Sequence, residues 1–124
     1  FIFGQSNRTA AKINNEYGVK PEFLWEKSPN FGVFRNSKNG KWFGIIMNID
    51  KSKIVPTEKG EIEIINLKNE DAIQMLKTDI LNTKGIYPAY HMNKKSWISV
   101  VLDDTFTDEQ VFSLVKKSFE NVDL

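Results

Sequence analysis

The sequence predicts an α+β fold: an antiparallel sheet of about five strands with helices at both ends of the chain. Three observations carry this. Apolar and alternating runs are grouped between residues 23 and 67. Helical apolar stripes lie before and after them. Asn39-Gly40 sits between two of the runs, a strong hairpin signal. Strands grouped together with helices outside them indicate an antiparallel sheet with helices on a face.

Each element has its own warrant. Residues 7–17 read as a helix, with Ser6 as N-cap and Gly18 at the left-handed position after its end. Ala10, Ile13 and Tyr17 form its stripe. Pro21 blocks further helix. Phe23-Leu24-Trp25 reads as a short strand, and residues 31–35 as the next. Residues 36–40 are a turn, and residues 42–49 the return strand. In that strand Phe43, Ile45, Met47 and Ile49 alternate with Trp42, Gly44, Ile46 and Asn48, and the first set is the expected core face. In residues 61–67, Glu61 and Glu63 alternate with Ile62 and Ile64, a half-buried pattern. A second helix is expected from Glu70, capped by Asn69, with Ile73, Leu76 and Ile80 on one face and Gly85 at its limit. Residues 86–95, with Pro88, read as irregular. Residues 97–102 are apolar almost throughout and so a central strand. Thr107 and Gln110 form a capping box for a last helix carrying Val111, Leu114, Val115 and Phe119. The expected order is α-β-β-β-β-α-β-α.

Length and composition bound the function. The 124 residues fit one domain, residues 1–124. With no cysteine, disulfides, thiol catalysis and cysteine-ligated metals are excluded from these residues. The single histidine, His91, excludes a multi-histidine metal site. No apolar run is long enough to span a membrane and no signal peptide is visible, so a cytoplasmic protein is expected. The first residue is Phe rather than Met, as expected of a domain from a longer chain with an additional N-terminal segment or a protein partner.

The net charge of +1 hides an asymmetry. Residues 1–60 carry ten basic and five acidic residues, and residues 98–124 carry two basic and six acidic. A local basic face is one reading; mutual neutralisation of the two ends across the fold is the other.

Specific strings then become informative. These are Tyr17-Gly18-Val19-Lys20-Pro21-Glu22-Phe23-Leu24-Trp25, Gly32-Val33-Phe34-Arg35, Asn39-Gly40-Lys41-Trp42-Phe43 and Asn66-Leu67-Lys68. The longest is Gly85-Ile86-Tyr87-Pro88-Ala89-Tyr90-His91-Met92-Asn93-Lys94-Lys95, followed by Trp97-Ile98. Together they resemble the MmcQ/YjbR family over roughly residues 17–119. The resemblance implies a CyaY-like α+β fold and DNA binding through a double-wing arrangement. Frataxin-type proteins share that fold and bind iron on an acidic ridge. Here the first helix offers only Glu16 beside Arg8 and Lys12, and the acidic cluster is Asp103, Asp104, Asp108 and Glu109. Neither a metal nor a cofactor is expected.

Two basic segments are the candidate nucleic-acid contacts. The loop from Lys84 to Lys95 holds Lys84, Lys94, Lys95 and His91 without an acidic residue, interleaved with Tyr87, Tyr90 and nearby Trp97. Lysines hold phosphates and aromatic faces stack on bases. The hairpin adds Arg35, Lys38 and Lys41 around a polar turn, as a wing against a groove or as an ordinary solvated turn. The first expectation is a non-enzymatic DNA-binding module using Arg35, Lys38, Lys41, Lys84, Lys94 and Lys95. The alternative is a protein- or small-ligand-binding module with an aromatic cleft around Tyr87, Tyr90, His91 and Trp97. An enzyme is the weakest reading. His91 offers acid–base chemistry, but no nucleophile accompanies it, and Glu22 with Glu26 lacks any catalytic partner.

Overall fold

The computed structural model describes residues 1–72, 74 and 84–123. Helix α1 (Gly4–Tyr17) leads into strands β1 (Gly32–Arg35), β2 (Trp42–Asp50) and β3 (Glu61–Lys68). Strands β4 (Ile86–Pro88) and β5 (Trp97–Val101) and helix α2 (Asp108–Val122) follow. The second helix expected from Glu70 lies largely outside the described residues. The five strands form one antiparallel sheet in the order β1-β2-β3-β5-β4. This is the α+β fold the sequence predicts, with β5 inside the sheet as its apolar run requires.

Both faces of the sheet are covered, which accounts for its near-continuous apolar strands. Helices α1 and α2 cover one face, over Phe34, Phe43, Ile46, Ile65, Leu67, Ile98 and Val100. Tyr17 stacks on Phe119 at 3.9 Å, and Phe43 meets both rings edge-on. The opposite face carries Val33, Ile45, Met47, Ile49, Ile62, Ile64 and Trp97, with Trp42 and Tyr87 from the strands and Phe31, Ile54, Tyr90 and Met92 from loops packed on them.

A β-bulge divides the faces differently from simple alternation. Phe34 pairs with Gly44 and Arg35 with Trp42, leaving Phe43 as the extra residue. Phe43 therefore turns to the helices, whereas Trp42 joins Ile45 and Met47 on the opposite face. The buried Ser118 hydroxyl donates to the Phe43 carbonyl at 2.5 Å, and the Ser118 oxygen in turn accepts from Lys68 N–H at 2.8 Å. Ser118 thus ties α2 to β2 and β3 at the bulge.

Glu63 does not face water. It is fully buried on the helix side, and its carboxylate accepts from the backbone N–H groups of Phe3 (2.9 Å) and Ile2 (3.2 Å) and from Asn48 (3.1 Å). Helix α1 consequently begins at Gly4, earlier than expected, with Ser6 buried inside it rather than capping it. An anion from a distant strand occupies its electropositive end. Burial alone would raise the Glu63 pKa, but the donors from Phe3, Asn48 and Ile2 oppose it, and the pKa lies below the ordinary glutamate value.

Two further segments differ from the sequence expectation. Phe23-Leu24-Trp25 is an exposed loop, and only Glu22 bridges to Val33. Residues 86–88 instead form the short edge strand β4, Pro88 lying at its end. The helix ends follow the sequence. Gly18 closes α1 in the left-handed conformation (φ 66°), and Thr107 and Gln110 make the reciprocal capping box of α2.

Candidate nucleic-acid interface and aromatic cleft

The antiparallel register places the basic residues. Strands β1, β3 and β4 finish at the end of the sheet where β2 and β5 begin. The Arg35–Lys41 hairpin and the loop 89–96 therefore project from one end, with Lys68 between them. Arg35, Lys38, Lys41, Lys94 and Lys95 all lie there. Lys41 precedes β2 and Lys94-Lys95 lie in the β4–β5 connection, two to three strands away. At ~4.8 Å per strand the separation is ~10–15 Å. Lys84 is at the opposite end, before β4, where it lines a separate polar pocket of about 170 Å³ with Lys51, Glu58 and Asp103. Gly85 beside it has φ 110°, and a Cβ there would lie 2.6 Å from the Phe106 ring.

The lysine-bearing turns share one local device. Asn36, Asn39 and Asn93 each accept, through the side-chain oxygen, from the backbone N–H two residues on, at Lys38, Lys41 and Lys95 respectively, all at 2.9 Å. Asparagine mimics a backbone turn in this way, fixing the turn and leaving the lysine side chain outside it. The hairpin is also docked. Asn36 donates to Asp123 at 2.9 Å, and Asn39 donates to the Val122 carbonyl at 2.7 Å. It is thus braced against the end of α2 rather than standing free.

The cations differ in availability. Arg35 pairs with Glu22 at 2.7 Å and lies over the Trp42 ring at 5.8 Å. Lys38 lies 3.7 Å from Asp123. Lys41, Lys94 and Lys95 are exposed and form no ion pair among the described residues. Part of the basic front does meet the acidic tail: Arg8 holds Asp104 and Asp108, and Gln5 donates to Asp108 at 3.1 Å. The Arg8 guanidinium and the Gln5 amide keep the Asp108 carboxyl below its usual range. Two members of the acidic cluster are thereby committed to α1.

An aromatic cleft of about 310 Å³ opens on the sheet face opposite α1 and α2, lined by Trp25, Ser28, Phe31, Trp42, Ile45, Met47, His91 and Met92. Of the residues expected to form such a cleft, only His91 lines it. Trp97 is buried beneath the loops, Tyr87 borders the polar pocket, and Tyr90 packs against His91 at 4.0 Å. The expectation followed neighbours in sequence, whereas the cleft joins segments distant in sequence. Its indoles, Trp25 and Trp42, meet edge to face at 5.9 Å.

A buried polar pair positions its His91 side. Asn66 and Ser99 face each other across β3 and β5, and both are fully buried. The Ser99 hydroxyl donates to the Asn66 side-chain oxygen and accepts from Tyr90 N–H at 2.9 Å. Asn66 donates to the Tyr90 carbonyl at 2.8 Å. With both backbone groups of Tyr90 held, the next residue, His91, takes a left-handed conformation (φ 59°) and turns over the cleft. For Ser99 the sequence signal was present: it is the lone polar residue in the apolar run 97–102.

The YjbR family model matches residues 15–121. The chain belongs to the YjbR family. Among YjbR relatives, the uncharacterized protein YyaQ of Bacillus subtilis (strain 168) is 38% identical over 107 residues, covering 86% of this chain and 88% of YyaQ. The uncharacterized protein YbdF of Escherichia coli O157:H7 is 31% identical over 101 residues, covering 82% and 71%. A crystal structure of a Pseudomonas syringae protein superposes with a TM-score of 0.83 at 35% identity, covering 93% of this chain and 96% of that one. A Deinococcus radiodurans crystal structure shares the fold, with a TM-score of 0.63 at 19% identity, covering 90% and 73%.

Proposed function

We propose that this YjbR domain is a non-enzymatic, cytoplasmic DNA-binding module that grips phosphates with the end of its sheet. The observation that carries this reading is the gathering of Arg35, Lys38, Lys41, Lys94 and Lys95 at one end. Lys41, Lys94 and Lys95 supply charge that no ion pair among the described residues neutralises. The ~10–15 Å between the two lysine-bearing turns is close to the ~12 Å width of the B-DNA major groove, so both turns reach phosphates of one duplex. Backbone contacts of this kind position the protein and supply affinity without reading sequence. No helix among the described residues is long and apolar enough to cross a membrane.

Fluorescence anisotropy on a labelled duplex tests the reading. Lys94→Glu with Lys95→Glu weakens binding to every duplex sequence alike, and Lys84→Glu, at the far end, leaves it unchanged. Equal losses from the two changes would remove the proposed interface. The cleft supports a second reading, a small-ligand or peptide site, because its lining is mostly apolar and preformed. That reading predicts a ligand whose binding depends on Trp25 and is indifferent to Lys94 and Lys95.

A further inference from the structure

We infer that the cleft accommodates an unpaired base of single-stranded DNA, a preference for strand form that rests on the phosphate-binding reading above. Its walls are the rings of Trp25, Phe31 and Trp42 with the thioethers of Met47 and Met92, and His91 stands at its edge. No carboxylate lines it among the described residues. A volume of about 310 Å³ is at the small end of ligand sites and suits one flat ring rather than an extended chain. Trp25 is 38% exposed although large and apolar, and its indole stands perpendicular to that of Trp42. A ring entering the cleft covers this surface and stacks on an indole face.

The charge around the cleft selects the occupant. Lys41 directly precedes Trp42, and Lys94-Lys95 follow Met92 by two and three residues. Arg35 lies over the Trp42 ring and is shared with Glu22. An apolar, aromatic slot whose Trp42 and Met92 are followed or preceded within three residues by lysines with no ion pair among the described residues complements a flat base on a phosphate chain. Stacking platforms beside a cationic track are the general means of holding single strands. Ser28 and the His91 imidazole are the polar groups in reach of the base edge. A duplex, its bases already stacked, leaves the cleft empty and uses the lysines alone.

The test compares a short labelled oligothymidylate with a duplex of equal length, using anisotropy and intrinsic tryptophan fluorescence. Two of the three tryptophans line the cleft, so base stacking quenches the emission. Trp25→Ala is expected to weaken single-strand binding about 5- to 150-fold, the effect of losing one base stack, and to leave duplex affinity unchanged. Trp25→Phe retains most of the single-strand affinity. Duplex affinity is also the internal control for folding of the alanine variant. Single-strand affinity indifferent to Trp25→Ala would overturn the inference, while a loss of duplex binding on Lys94→Glu with Lys95→Glu would leave the phosphate reading standing. Failure to bind either form would overturn both. Thymidine monophosphate quenching the tryptophans at the same concentration as the strand would replace the strand with a free nucleotide as occupant.

Discussion

Glu63→Gln tests how helix α1 is held at its electropositive end. The wild-type carboxylate accepts from Phe3 N–H at 2.9 Å, Ile2 N–H at 3.2 Å and Asn48 at 3.1 Å, with its side chain fully buried. Glutamine keeps the shape but offers one acceptor oxygen, and its NH₂ group then faces a donor. Bonds to a charged group contribute ~1.5–3 kcal/mol net, about twice a neutral bond. Losing one such bond and the charge on the others costs ~2–4 kcal/mol. For a domain of this length the unfolding entropy is ~0.26 kcal/mol per degree, so the melting temperature falls by ~8–15 °C. Thermal unfolding followed by circular dichroism at pH 7 measures this. The pH dependence supplies a second check. The folded pKa of Glu63 is lowered, so its contribution is complete above the unfolded value of ~4.3. It is lost as pH falls through the lower folded value. The gap between wild type and variant therefore narrows on acidification below ~4. A melting temperature within ~2 °C of wild type at pH 7, or a gap that widens in acid, would refute the reasoning.

Other outcomes follow from the same structure. Asn66→Ala leaves the buried Ser99 hydroxyl and the Tyr90 carbonyl without their partner, costing ~1–3 kcal/mol in urea denaturation, and broadens the NMR signals of His91 as its turn loses definition. Thr107→Ala opens the capping box of α2 and costs ~1 kcal/mol, read as a lower denaturation midpoint with an unchanged m-value.

The fold was legible where local chemistry decides it. The capping box of Thr107 and Gln110, the left-handed Gly18 and the turn at Asn39-Gly40 depend on residues within a few positions of one another, and each was readable. The face of β2 was not. Alternation grouped Phe43 with Ile45, but the bulge reverses that, and the bulge is sustained by Ser118 from a helix 75 residues away. Glu63 read as solvent-facing for a similar reason: its partners at Ile2 and Phe3 lie some 60 residues upstream. Phe23-Leu24-Trp25 carries strand composition but borders a cleft, and the three-residue β4 ends in the proline that argued against a strand.

The candidate site divides in the same way. The lysines were found because the basic, acid-free composition of the 84–95 loop and of the polar hairpin turn is local. That five of the six cations share one end, and Lys84 does not, follows only from strand order. The cleft was the hardest to read. Trp25, Trp42 and Met92 are far apart in sequence: Trp25 reaches Trp42 beside β1 and β2, and the Asn66–Ser99 pair holds the Tyr90 turn that brings His91 and Met92 to the same cleft. The neutralisation of Asp104 and Asp108 by Arg8 likewise needs α1 placed beside the start of α2.

The salt dependence of duplex affinity tests the central claim most directly. Three to five cations meeting phosphates give log affinity against log salt a slope of about −2.7 to −4.5. Replacing Lys94 and Lys95 together by glutamine makes that slope shallower by about 1.8, whereas Lys84→Gln leaves it as it was. A curve flat in salt, or one shifted as much by Lys84 as by Lys94 and Lys95, would contradict phosphate binding at this end of the sheet.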